Sequence, residues 1–147
     1  MTASASVIGK RYEPVTYAVG REKIREYAAA VGETNSLHHD LEAARAAGYA
    51  DLVAPPMFAV VYAGRAVIPA LFDREVGMDF SMMVHGGQEF RWGPLVIAGE
   101  EITTVATVAD ISERGGVSFF VFSSTSENER GETVALGTWT NIVRSGG

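Results

Sequence analysis

The segment Met57–Phe72 carries one charge, Arg65, and is apolar on nearly every helical face, directly after Pro55-Pro56. A helix without a polar face needs protein around it. Two prolines suit its start, where a missing N–H breaks no intrahelical bond. The chain changes character near Phe72–Gly77. Beyond it, Gln88–Trp92, Glu101–Ile111, Val117–Ser126 and Thr133–Val143 are rich in Val, Ile, Thr, Phe and Trp and predict strands. Glu113–Gly116 and Asn128–Gly131 are turns of hairpin length, so the last three strands form an antiparallel meander. The expected class is α+β, an antiparallel sheet wrapped around a central apolar helix. Such a sheet has an open edge, which predicts a dimer that continues it across subunits.

Ahead of the central helix, Tyr12–Val19 predicts a short opening strand. Ile24, Tyr27, Ala28 and Val31 recur at helical spacing until Gly32. Asp40 is placed to cap a short helix over Leu41–Ala47 that stops at Gly48, leaving Glu33–His39 as a polar loop. The 147 residues suit one domain, 1–147, and a net charge of -6 without Lys/Arg runs argues against a nucleic-acid-binding face. With no cysteine there is no disulfide, thiolate zinc site or cysteine nucleophile. The three histidines and scattered carboxylates lack metal-ligand spacing, and neither a Gly-rich phosphate loop nor a serine elbow is present. No metal or resident cofactor is expected. Met1–Ser6 lacks a basic segment followed by an apolar run, and Arg65 and Pro69 interrupt the longest apolar stretch, so the expectation is a cytoplasmic chain without a membrane partner.

The loop Gly32-Glu33-Thr34-Asn35-Ser36-Leu37-His38, followed by Ala43-Ala44-Arg45-Ala46-Ala47-Gly48-Tyr49, resembles the signature of MaoC-like (R)-specific enoyl-thioester hydratases and dehydratases. In that family the loop reads Gly-Asp-x-Asn-Pro-(Ile/Leu)-His. Trp92–Glu100 is similar to the family's strand ending in Pro-(Leu/Val)-x-x-Gly-Asp. The resemblance covers nearly the whole chain and implies a single hot-dog fold, a substrate carried as a coenzyme A or acyl-carrier-protein thioester, and no other cofactor. It implies His38 and Glu33 as the acid–base pair. Asn35 would orient the loop or substrate. Met57, Phe58 and Tyr62 are core or dimer-interface residues first, some of which would line an acyl tunnel. The chemistry needs such groups: dehydrating a 3-hydroxyacyl thioester takes a base for the C2 proton, an acid for the departing hydroxyl and a donor for the enolate oxygen.

Three positions depart from that pattern. Glu33 replaces the aspartate, Ser36 replaces the proline, and Pro56 stands where active members carry the glycine whose N–H binds the oxyanion. Ala54-Pro55-Pro56-Met57-Phe58 instead resembles the N-terminal half of two-domain MaoC-like dehydratases. Gly20–Tyr27 and Val84–Phe90 resemble the acyl-binding subunit of mycobacterial hydroxyacyl-carrier-protein dehydratase heterodimers. Two functions follow: a hydratase/dehydratase unit using His38 and Glu33, or a non-catalytic acyl-binding subunit that needs a separate catalytic partner, with homodimer and heterodimer with a second hot-dog subunit both left open. A hot-dog thioesterase needs a carboxylate on the central helix, and Met57–Phe72 contains no Asp or Glu.

Overall fold

The computed structural model describes residues 5–144, so residues 1–4 of the N-terminal stretch read above lie outside the described part. Five strands form one sheet: β1 (Val15–Ala18), β2 (Met83–Trp92), β3 (Glu101–Arg114), β4 (Val117–Glu127) and β5 (Thr133–Arg144). Their order is β1-β3-β4-β5-β2, and each neighbouring pair is antiparallel. Three helices precede β2: α1 (Arg21–Ala30), α2 (Leu41–Ala46) and α3 (Ala59–Leu71). The sheet curls around α3, as the hot-dog expectation requires.

The expected meander is present. Gly115 and Gly116 join β3 to β4 with φ of 57° and 76°, a two-residue turn whose backbone only glycine adopts without strain. Asp40 caps α2 as read, accepting from Glu42 N at 2.9 Å and Ala43 N at 3.2 Å. Differences lie at element starts. The two prolines open a single 3-10 turn, Pro56–Phe58, and α3 proper begins at Ala59. Strand β2 begins at Met83, five residues before Gln88, because β5 supplies partners along its whole length despite the poor strand propensity of Gly86-Gly87.

The central helix is less enclosed than its composition predicts. Its inner face carries Phe58, Tyr62, Ala63, Ala66 and Ala70 into the core, against β3 chiefly and β4 and β1 besides. Ile68 and Phe72, however, are 50% and 60% exposed. Met57, Val61, Gly64, Ile68 and Phe72 recur three or four residues apart and form one stripe that this chain's own sheet leaves open. The stripe faces the β5–β2 half, where Trp139 reaches the helix at Gly64. Beside it Phe80, Met82 and Val84 are also exposed, and β2 has β5 on one side and no strand on the other among the described residues. The apolar stripe and the open strand edge lie on the same side of the molecule. Among the described residues no helix is long and apolar enough to cross a membrane.

Candidate functional site

The polar loop is held by its own short side chains. Asn35 Oδ1 accepts from Leu37 N at 3.0 Å and starts the 3-10 turn Ser36–His38. Glu33 Oε1 accepts from Asn35 N at 3.1 Å, so this carboxylate closes the turn that precedes the histidine. His39 Nε2 donates to Glu33 O at 2.7 Å, and Arg25 Nε to His39 O at 3.1 Å, which makes His39 a tie between loop and α1.

His38 points inward and is 6% exposed. Its Nδ1 lies 2.6 Å from Val53 O. A carbonyl only accepts, so Nδ1 carries the proton and Nε2 keeps its lone pair in the neutral ring. The strap that supplies this carbonyl is fixed on both sides. Val53 N donates to Leu37 O at 3.0 Å, Ala54 N to Val96 O at 2.8 Å, and Ala98 N to Leu52 O at 2.9 Å. Arg21 braces its start through a two-pronged ion pair with Asp51, at 2.7–3.0 Å, and that hydrogen bonding holds the Asp51 carboxyl below the ordinary carboxylate range.

Immediately beyond the strap lies an apolar cavity of about 310 Å³, bounded by Pro55, Pro56, Tyr62, Trp92, Pro94 and Val134 among others. Trp92 Nε1 donates to Pro56 O at 2.9 Å and pins the end of β2 to the start of the central helix. Burial pushes the Tyr62 phenol up, so it stays protonated at neutral pH. A second apolar cavity of about 300 Å³ lies between the open stripe of α3 and the β2–β5 pair, lined by Val61, Arg65, Ile68, His85, Trp139 and Asn141 among others.

The residues singled out from sequence are only partly brought together. Glu33, Asn35 and His38 share one loop, yet Glu33 and His38 share no hydrogen bond among the described residues, and none of the three lines either cavity. Tyr62 lines the first cavity. Phe58 is fully buried in the core beneath it, with its ring against Tyr17, Tyr27 and Tyr62. Met57 belongs to the exposed stripe. Trp92, Pro94 and Trp139 line cavities without having been named as site residues. The Trp92–Glu100 motif pointed at the first two, while nothing near Trp139 in sequence marks it.

Among the described residues, no group of three or more His, Asp or Glu side chains is placed to hold a metal. What the described residues offer is an apolar cavity and, across the Leu52–Ala54 strap from it, a buried imidazole.

Comparison with known proteins agrees with this geometry. Residues 6–136 match the family described as FAS1-like, dehydratase domain region. A UPF0336 protein of Saccharopolyspora erythraea is 41% identical over 145 residues, covering 98% of this chain and 93% of its own. A chain of the C-terminally truncated HadBC (3R-hydroxyacyl-ACP dehydratase) complex of Mycobacterium tuberculosis superposes with a TM-score of 0.81 at 28% identity, over 92% of this chain and 96% of that one. A protein described as a MaoC-like dehydratase superposes with a TM-score of 0.85 at 25% identity, over 95% of this chain but 43% of that longer one. An antiparallel sheet around α3, a family match over most of the sequence and these structural likenesses converge: the chain belongs to the FAS1-like dehydratase-region family, of MaoC-like hot-dog fold.

Proposed function

We propose that this chain is the acyl-holding subunit of a (3R)-hydroxyacyl-thioester dehydratase and binds the acyl chain of a coenzyme A or acyl-carrier-protein thioester for a second hot-dog subunit that carries out the proton transfers. The observation that carries the reading is the apolar cavity at the start of the central helix, whose wall there is Pro55-Pro56. An oxyanion forming at that point meets a residue with no N–H. Loss of one such donor costs roughly 2.7–4 kcal/mol of barrier, or 10²–10³ in rate. The carboxylate that would share the proton traffic, Glu33, closes its own loop instead. The open stripe of α3 and the free edge of β2 supply the face on which a second hot-dog chain completes the sheet. That one structural relative is a chain of a HadBC complex agrees with such pairing.

One observation favours a second reading, a self-sufficient hydratase. His38 is buried and locked in one tautomer by Val53 O, with Nε2 unengaged, which suits a general base. Hydration of crotonyl-CoA and of a longer trans-2-enoyl-CoA, followed by loss of conjugation absorbance, separates the two. The purified chain alone is expected to bind acyl-CoA without turning it over, and turnover is expected when a hot-dog subunit with an intact Asp-x-Asn-x-x-His loop is added. Turnover by the chain alone that disappears in His38→Ala overturns the subunit reading in favour of the hydratase.

A further inference from the structure

The segment Val84–Phe90 was singled out in the sequence, and the acyl-holding function does not by itself account for its polar members. Along β2 the residues directed toward α3 are His85, Gln88, Phe90 and Trp92. His85 pairs with Asn141 and Gln88 with Trp139. Asn141 and Trp139 are two apart on β5 and so share a face, whereas positions 85 and 88 of a regular strand would face opposite ways. The bulge between His85 and Gly87 inserts Gly86 and turns both side chains inward. A Cβ at Gly86 would run into the end of the Ile142 side chain, which would have to move aside.

The bulge delivers a polar side chain with nothing to bond. Both amide atoms of Gln88, Nε2 and Oε1, are sealed from solvent without a hydrogen-bond partner among the described residues. Its neighbours are satisfied: Asn141, 3% exposed, reaches Phe120 O and His85 Nδ1 at 3.4 Å each, and Trp139 Nε1 donates to Ser124 Oγ at 2.9 Å. Buried polar groups in folded proteins are almost always paired, and an apolar side chain of the same length would fill this place without the penalty. Gln88 also has a defined position between the two cavities. Trp92 lines the first and His85 the second. Trp92 lies about 13 Å of strand from Gln88. The rings of Phe90 and Trp139 meet edge to face at 5.7 Å, and Trp139, the cross-strand partner of Gln88, lines the second cavity.

We infer that Gln88 is a specificity-determining residue that recognises a hydroxyl or oxo group carried part-way along the acyl chain; the inference rests on the acyl-holding function proposed above. A primary amide donates and accepts, which matches an uncharged oxygen substituent. Gln88 is directed to the interior of the chain, since a thioester anchored at the first cavity, where Trp92 stands, is about 13 Å of strand away.

The test compares octadecanoyl-CoA with a series of positional isomers of hydroxyoctadecanoyl-CoA. Binding is measured by calorimetry to the chain, alone and with its hot-dog partner, for the wild type and for Gln88→Met, a near-isostere without the amide. The expected result is that one or two adjacent isomers bind the wild type about tenfold more tightly than the plain chain, the size of one good hydrogen bond. In Gln88→Met the ratio is expected to fall to about one while the melting temperature rises. Equal binding of all isomers, a preference that survives in Gln88→Met, or a fall in melting temperature that marks a trapped water or structural bond overturns the inference and leaves acyl binding standing. Failure of every thioester to bind, with or without partner, overturns the acyl-holding function and the inference together.

Discussion

Asp40, Asn35 and Glu33 shape the polar loop, each by accepting from backbone N–H groups two or three residues ahead. Asp40 is the simplest to test. Asp40→Ala removes both cap bonds of α2 and is expected to cost about 1 kcal/mol, measured by urea unfolding. Gly86→Ala is expected to cost no more than that, because the end of the partly exposed Ile142 side chain can swing away from the added carbon. The Asp40 cap was legible in the sequence, since an Asp before Leu41 with Gly48 beyond is a local signal. The bond from Asn35 N to Glu33 was not, since the resemblance gave Glu33 only as an acid–base group and nothing local in the sequence marks its carboxylate as closing the turn. Gln88 was equally hidden, because its significance is a missing bond.

At the scale of elements, the central helix and the three-strand meander were readable because hydrophobic periodicity and paired glycines are written in contiguous residues. The start of β2 was not, since His85-Gly86-Gly87 has little strand propensity and is held by β5, far along the chain. The open stripe on α3 was also misjudged as buried, because composition cannot say which chain covers a face. A second tie between elements is electrostatic. Asp73, just past α3, receives Lys10 at 2.7 Å and the Tyr12 hydroxyl at 2.7 Å. The Lys10 hydrogen bond holds its carboxyl below the ordinary range, and the Tyr12 hydroxyl adds to that effect. A carboxyl depressed by folding stabilises the fold in full above its unfolded pKa of about 4 and loses that effect as pH falls through the lower folded value. Asp73→Asn is therefore expected to be less stable than wild type at neutral pH and to lose less on acidification, seen as a flatter acid limb in melting temperature against pH.

At the scale of the whole molecule, the described residues leave an apolar helix stripe and a ten-residue strand edge open on one side, the face that the proposed pairing with a second hot-dog chain would use. A charge in the middle of that side should oppose pairing without touching this chain's own core. Ile68→Glu is expected to shift the protein toward monomer in sedimentation, alone or with a hot-dog partner, while its circular dichroism stays that of the wild type. The open edge itself was foreseen from the sequence, as the outer strand of the sheet. Tyr62 apart, the cavity lining was not foreseen as a set, because Trp92, Val134 and Pro56 come from three separated parts of the chain and meet only when the sheet closes on the helix.

The strap at Leu52–Ala54 has a mechanical meaning. It is bonded to Leu37 and His38 on one side and to Val96 and Ala98 on the other, so it works as a short lever between the cavity wall and the imidazole. On the acyl-holding function proposed above, a chain that fills the cavity against Val96 is expected to be felt at the carbonyl that His38 binds. The ring would then be a gauge of occupancy: its NMR signals are expected to move when an acyl thioester binds.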